Sequence, residues 1–421
     1  MSLFTKRQLG VGALLLLLTL PVLAAPSPDS TAFSVEAATQ HYLNTLTTAQ
    51  KASSDAYFEG GYWLQLGNLL YGLALAAVFL VLGLSRRMKA WTQRLPTKVL
   101  PTWAYIALYI LLAHLLSYPL NIYDNYVREH QYGLSNQSFG QWLTDDLKSL
   151  ALSVVVGSVA VLVLYVAIRR AGRRWWVWAT ALAAGFLVVA VFVSPVFISP
   201  LFNKYTPLPD GPVRRQILSM ARANGVPADN VYLVDASRQS KRISANVSGL
   251  GSTIRVSLND NLLNRCTPAE VQAVMGHELG HYVLNHIPKM LIFFVLIVGL
   301  GLAFVDWAFH RLLGRYGTRW GISSIGDVGG LPLIAALFGV FTFLAQPGFN
   351  TIIRTQEQEA DVFGLNAARQ PDGFASTAMK LSEYRKISPT PLEEVIFFDH
   401  PSGRTRVLTA MRWKAEHLQD K

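Results

Sequence analysis

The stretch Thr267-Pro268-Ala269-Glu270-Val271-Gln272-Ala273-Val274-Met275-Gly276-His277-Glu278-Leu279-Gly280-His281 is followed, ten residues on, by the apolar run Leu291-Ile292-Phe293-Phe294-Val295-Leu296-Ile297-Val298. A capped helix that leads into lipid-compatible sequence decides how the chain is organised. Thr267 is a good N-cap, Pro268 suits the first helical position, and Glu270 sits where a capping box needs it. On that helix His277 and His281 are four apart and leave the same face, so both imidazoles can share one zinc ion. Glu278 lies beside them, placed to take a proton from water rather than to ligate. The run that follows, 290–309, is long enough to cross a bilayer, which sets the motif helix at a membrane surface.

Five more stretches of about twenty apolar residues, enough to span lipid, lie near 62–84, 101–120, 149–168, 175–198 and 331–349. Backbone polar groups must be satisfied inside hydrocarbon, so all six read as helices. Composition agrees: of 421 residues 51% are apolar and only 15% charged, with a mean hydropathy of +0.30. Those values exclude a disordered chain and an ordinary soluble domain. The single cysteine, Cys266, excludes an intrachain disulfide and a cysteine-built zinc site. Lys6 and Arg7, the apolar Leu14 to Leu18 and the small residues at Ala24-Ala25 make 1–25 a signal peptide or a first transmembrane helix.

The expected fold is therefore mainly α, a polytopic membrane protein with six or seven transmembrane helices and a small α+β catalytic domain. Residues 26–200 form an N-terminal membrane domain with four spans, and 289–349 supply two more. The catalytic domain is split, with 201–288 carrying the H-E-x-x-H helix and 350–421 completing it. Strand-like runs at Val231–Val234 and Thr253–Leu258 give the first part its β content.

The formal charge of +11 is not spread evenly. One set of connections holds 14 basic residues, among them Arg86, Arg87, Arg169, Arg170, Arg173 and Arg174, against the single acid Asp327. The opposite short connections, 25–61 and 121–148, hold Lys51, Arg128 and Lys148 against eight acids. With 1–25 counted as a crossing, the basic set is cytoplasmic. The 201–288 and 350–421 segments then lie on the outer side, which in a bacterial inner membrane is the periplasm. Orientation accounts for the excess charge, and no nucleic-acid partner is needed to explain it.

A catalytic zinc site needs a third protein ligand and an open position. With cysteine excluded, a carboxylate or another histidine must supply it. In Arg354-Thr355-Gln356-Glu357-Gln358-Glu359-Ala360-Asp361, Glu357 and Asp361 are four apart on a helix that follows the last span. One carboxylate can ligate while the other supports a ligand histidine.

Together with a late Asp399-His400-Pro401-Ser402, these motifs resemble the type I CAAX prenyl endopeptidases, membrane-integral zinc metalloproteases. Ser199-Pro200-Leu201-Phe202-Asn203-Lys204-Tyr205-Thr206-Pro207-Leu208-Pro209-Asp210-Gly211 and Val127-Arg128-Glu129-His130-Gln131-Tyr132-Gly133-Leu134-Ser135-Asn136-Gln137 are also similar to the family, so the resemblance runs over roughly 55–410. It implies one zinc ion on His277, His281 and Glu357, with Glu278 as general base. It further implies that Asp361 orients a ligand histidine, His400 hydrogen-bonds the oxyanion, Arg406 stands near the site, and Asn246 aligns substrate backbone on an edge strand. A zincin-like domain at the mouth of an intramembrane chamber is the architecture that goes with it, and a peptide or membrane-protein substrate met at the bilayer is the partner. His286 is read as supporting, because its five-residue offset from His281 turns it off the metal-facing side, and Cys266 as packing near the helix start.

Three alternatives remain at this level. A heat-shock-type membrane quality-control protease shares H-E-x-x-H and the later glutamate but has fewer spans. A metal-binding transporter predicts ionisable residues within the spans, where only Asp306 and His310, near one end, stand out. An inactive scaffold predicts loss of a site residue, and His277, Glu278, His281 and Glu357 are all present.

Overall fold

Each of the six apolar stretches is helical, and several of the helices outrun the lipid. The protein is described by a computed structural model covering residues 33–249 and 254–419. The segment 1–25 and the first residue of the Thr253–Leu258 run lie outside the described residues. In chain order the helices before the soluble part are α1 (Val35–Leu43), α2 (Thr48–Leu80), α3 (Leu84–Thr92), α4 (Leu100–Ile122), α5 (Arg128–Gln131), α6 (Phe139–Leu152), α7 (Ser158–Ala171) and α8 (Trp175–Val193). There follow β1 (Tyr205–Pro207), α9 (Pro212–Ala223), β2 (Val231–Val234), β3 (Ala245–Ser248), β4 (Arg255–Asn259), α10 (Asp260–Arg265) and α11 (Pro268–Val283). The remainder is α12 (His286–Trp320), α13 (Leu331–Ala368), α14 (Pro371–Leu381), α15 (Pro391–Phe397) and α16 (Gly403–Glu416).

Among the described residues five helical segments are long and apolar enough to cross a membrane. One of them, Phe139–Leu201, contains two of the stretches read from the sequence. It doubles back at Gly172, whose φ of 54° lies in the region that favours glycine, and α7 packs on α8. The chain is a multi-pass membrane protein.

Length explains how membrane helices build a site in water. The 38 residues of α13 rise about 1.5 Å each, so the helix is about 57 Å long against a hydrocarbon layer of about 30 Å. The span expected at 331–349 and the acidic helix after it are one rod. Likewise α2 begins at Thr48 behind a complete Thr47–Gln50 capping box, upstream of the apolar stretch at 62–84. Its polar first half is tied to later segments: Tyr57 donates to Glu129 at 2.6 Å, and Lys386 Nζ lies 2.6 Å from Glu59.

Two cores form, one in each environment. Phe79, Tyr105, Tyr165, Trp175 and Phe309 lie at the centre of the membrane core. Ile217, Val256, Leu258, Leu262, Met275 and Leu279 fill the soluble one, with Cys266 packed at its margin. Around the membrane core, side chains such as Val189, Phe192, Leu296 and Leu300 are exposed, an apolar perimeter suited to lipid. The soluble sheet has the order β1-β2-β4-β3, with β2 and β4 parallel and both outer strands antiparallel to their neighbours. Strand β3 is therefore an edge, and it packs against α11.

Two adjoining cavities share Asn68, Gly72 and Leu75: one of about 690 Å³ between α2, α4 and α13, and one of about 480 Å³ between α2, α4 and α6. Polar groups stand in the wall of the smaller. His114 Nε2 sits 3.0 Å from Asp146 Oδ2, and Asn121 donates to the other Asp146 oxygen at 3.0 Å. His114 falls inside the 101–120 span, which corrects the reading that ionisable groups in the spans are confined to Asp306 and His310. An imidazole at that depth is tolerated because it faces a cavity and has a carboxylate partner.

Candidate metal centre

The site is built where α11 and α13 cross, and glycine sets how close they come. A Cβ on Gly364 would meet the backbone nitrogen of His277 at 2.7 Å, and one on Gly276 would meet the Gly364 carbonyl at 2.8 Å. With no side chains between them, the backbone carrying His277 lies directly against the turn between Asp361 and Leu365. The start of α11 is fixed by a full capping box, with Thr267 Oγ1 accepting from Glu270 N–H and Glu270 accepting from Thr267 N–H at 2.6 Å.

Ligating atoms of His277, His281 and Glu357 all lie within 4.8 Å of one another. The two Nε2 atoms are 3.1 Å apart. Glu357 Oε2 is 3.3 Å from His277 Nε2, and Oε1 is 3.4 Å from His281 Nε2. Oε2 is buried yet accepts no hydrogen bond, an unusual state for a carboxylate oxygen inside a protein.

Behind His277 the donor pattern is determined. Its Nδ1 lies 2.7 Å from Asp361 Oδ1 and 3.3 Å from an Arg406 guanidinium nitrogen. Arginine only donates, and an ionised aspartate only accepts, so the shorter contact puts the proton on Nδ1, directed at Asp361. Nε2 is then the atom that faces Glu357 and His281. Arg406 in turn holds Asp361 through two donors, Nε at 2.9 Å and a second guanidinium nitrogen, and all three residues are buried.

Burial opposes charge on His277, but the carboxylates of Asp361 and Glu357 beside it outweigh it and push the ring up to about 10. His281 goes the other way, down to about 4, through burial and then the charge of His277. Two nitrogens and a carboxylate converging on one point, with a proton held between them, form a donor set that fits a divalent cation. A cation bound there would displace that proton.

Glu278 lines a cavity of about 180 Å³ together with His277, Glu357, His400 and Arg406. Burial, followed by repulsion from Glu357, pushes its carboxyl up to about 7. His400 reaches the cluster from the loop before α16, its Nε2 lying 3.2 Å from Glu357 Oε2 and its Nδ1 2.8 Å from Asp399. The segment carrying it is anchored to α13: Asn350 donates to the Ile396 carbonyl at 2.6 Å, and Arg354 donates to the Glu394 and Phe398 carbonyls at 2.6 Å.

Seven of the eight residues singled out from the sequence, His277, Glu278, His281, Glu357, Asp361, His400 and Arg406, are thus together. Asn246 stands apart, exposed on β3, while its neighbour Ala245 lines the cavity. Asp399 had no role assigned from the sequence, and His286 was read there only as supporting. Asp399 orients His400, a contact that adjacency in the chain hinted at. His286 Nδ1 lies 2.9 Å from His281 Nδ1, with its Nε2 3.0 Å from Glu359.

Comparison with known proteins places this arrangement in a family. The family described as CAAX prenyl protease N-terminal, five membrane helices, matches residues 36–204, and Peptidase family M48 matches 207–414. A Bacillus subtilis protein named uncharacterized metalloprotease YhfN is 30% identical over 333 residues, 78% of each chain. CAAX prenyl protease 1 of Saccharomyces cerevisiae is 28% identical over 375 residues, 82% of each. The crystal structure of S. mikatae Ste24p superimposes with a TM-score of 0.75 over 89% of this chain and 95% of that one, at 23% identity. The chain belongs to the M48 peptidases of the type I CAAX prenyl endopeptidase family and is a membrane-integral metalloendopeptidase.

Proposed function

We propose that the metal is a single zinc ion held by His277, His281 and Glu357, and that Glu278 is the general base of peptide hydrolysis. The observation that carries this reading is the convergence of three ligating atoms within 4.8 Å beside a carboxyl pushed up to about 7. Two histidines and a carboxylate, with one position left open, is a donor set found in catalytic zinc sites. When bound, zinc supplies Lewis acidity, making water acidic near neutral pH and polarising the scissile carbonyl.

The chain's own groups do the rest. Glu278 takes the proton from the attacking water and returns it to the leaving amine. His400, whose ring Asp399 orients, hydrogen-bonds the oxyanion. Asp361, clamped by Arg406, holds the His277 tautomer. An extended substrate adds as a strand to the free side of β3, where Asn246 aligns its backbone, giving affinity with little sequence selectivity. The split catalytic domain, 201–288 and 350–421, is thus carried by membrane segments 26–200 and 289–349.

Substrates are membrane-associated or extended peptides. The yeast relative is by name a CAAX prenyl protease, and the basic connections of this chain favour a different location. We place it in a bacterial inner membrane with the site on the periplasmic side, out of reach of prenylated cytosolic proteins. Phosphatase fusions decide the side: a fusion after residue 260 should be active, and an inactive one beside an active fusion in 25–60 would reverse the topology. The mechanism is tested by Glu278→Gln, which should abolish peptide cleavage and leave bound zinc near one per chain. Retained cleavage in that variant rejects Glu278 as the base.

A further inference from the structure

His281 has a support of its own, beyond the ligands and Asp361. Helix α11 ends at Val283, and Asn285, at a φ of 56°, turns the chain so that α12 starts at His286. That residue is 2% exposed. Its two ring nitrogens make two contacts: Nδ1 is 2.9 Å from His281 Nδ1, and Nε2 is 3.0 Å from Glu359 Oε2. Glu359 is half-exposed on α13, between Glu357 and Asp361, with Lys289 Nζ at 3.5 Å.

Donor and acceptor rules leave one neutral arrangement of this chain. An ionised Glu359 only accepts, so His286 carries its proton on Nε2 and presents a lone pair at Nδ1. His281 must then donate from Nδ1, which leaves its Nε2 lone pair pointing at Glu357 and His277. Resting on the metal reading above, we propose that His286 and Glu359 form a positioning relay that fixes the tautomer and ring orientation of His281 for zinc binding. Hydrogen-bond partners behind a ligand histidine raise its basicity and set its direction, and their loss typically lowers metal affinity by about 10–100-fold. The relay is the counterpart, on the second histidine, of Asp361 behind His277.

The test is a zinc(II) titration against a competing chelator, on the full chain in detergent, with thermal unfolding of the metal-free protein run in parallel. His286→Leu fills the space but offers no acceptor, and its zinc dissociation constant should rise about tenfold or more. His286→Asn restores an acceptor near the Nδ1 position and should stay within about threefold of wild type. Equal weakening in both variants, or none in either, overturns the relay, because a space-filling role distinguishes the two only by volume. If His286→Leu does not fold, Glu359→Ala decides alone: a loss of about threefold supports the relay and a smaller one rejects it. A wild-type chain that binds no zinc rejects the metal reading itself, and the relay falls with it.

Discussion

The two histidines of the motif sit one turn apart on one helix, and the protein supports them in opposite ways. Behind His277 stands a buried ion pair, Asp361 at 1% and Arg406 at 7% exposure. Behind His281 stands a second histidine, and behind that a carboxylate whose side chain is 47% exposed and whose lysine neighbour is equally so. The first arm sets a charged carboxylate directly on its histidine and is dry, and the second sets a neutral imidazole there and ends in water. A charged arm raises the proton affinity of its histidine, so a metal must displace a proton there. A neutral arm fixes direction without holding a proton that competes. The difference teaches that one ligand can provide strength while its neighbour provides readiness.

The largest effect should come from breaking the buried arm. Asp361→Ala leaves Arg406 as an unpaired buried charge, which costs about 3–5 kcal/mol of stability, and zinc affinity should fall by about 100-fold or more. Thermal unfolding of the metal-free chain and chelator competition measure the two losses separately. Next comes the crossing on which both arms depend. Gly364→Ala places a Cβ 2.7 Å from the His277 nitrogen, so α11 and α13 must separate, at about 1–3 kcal/mol of stability, with a fall in zinc affinity that chelator competition detects.

A pH titration sharpens the comparison. In the metal-free site His277 is pushed up to about 10 while His281 is pushed down to about 4. Between pH 6 and 9 a binding metal therefore releases a proton from His277 and none from His281. Zinc affinity should rise with pH by about tenfold per unit across that range, and Asp361→Asn should flatten the slope. Isothermal titration in buffers of different ionisation enthalpy counts the proton. The smallest effect belongs to the wet end of the neutral arm: Lys289→Ala should change zinc affinity by no more than about twofold, since exposed pairs contribute little.

What was legible in the sequence follows from how local each signal is. The cap at Thr267, the i, i+4 histidines and the apolar stretches are written in neighbouring residues, and the structure has each of them as helix. The β2 run was legible for the same reason. The length of α13 was less so, because Pro347-Gly348 is a pair that ordinarily ends a helix, yet the span runs on through it as the helix carrying Glu357 and Asp361. His286 was judged from its offset on a continuous helix. Asn285 breaks that helix, and the break folds His286 back onto His281. Arg406 pairing with Asp361, 45 residues away, and the glycine crossing of α11 on α13 are contacts between distant segments, which periodicity cannot reveal. His114 could have been found, since an imidazole in a span predicts a cavity and a partner.

The central claim is that His277, His281 and Glu357 hold zinc in common. An anomalous difference map collected at the zinc absorption edge, on crystals of the zinc-loaded full chain, tests it most directly. The account predicts one strong peak about 2.0–2.2 Å from Nε2 of both histidines and from a Glu357 oxygen, with His286 and Asp361 outside ligating distance. A peak liganded by His286 or His400 in place of Glu357, or no peak at the crossing of α11 and α13, would contradict it.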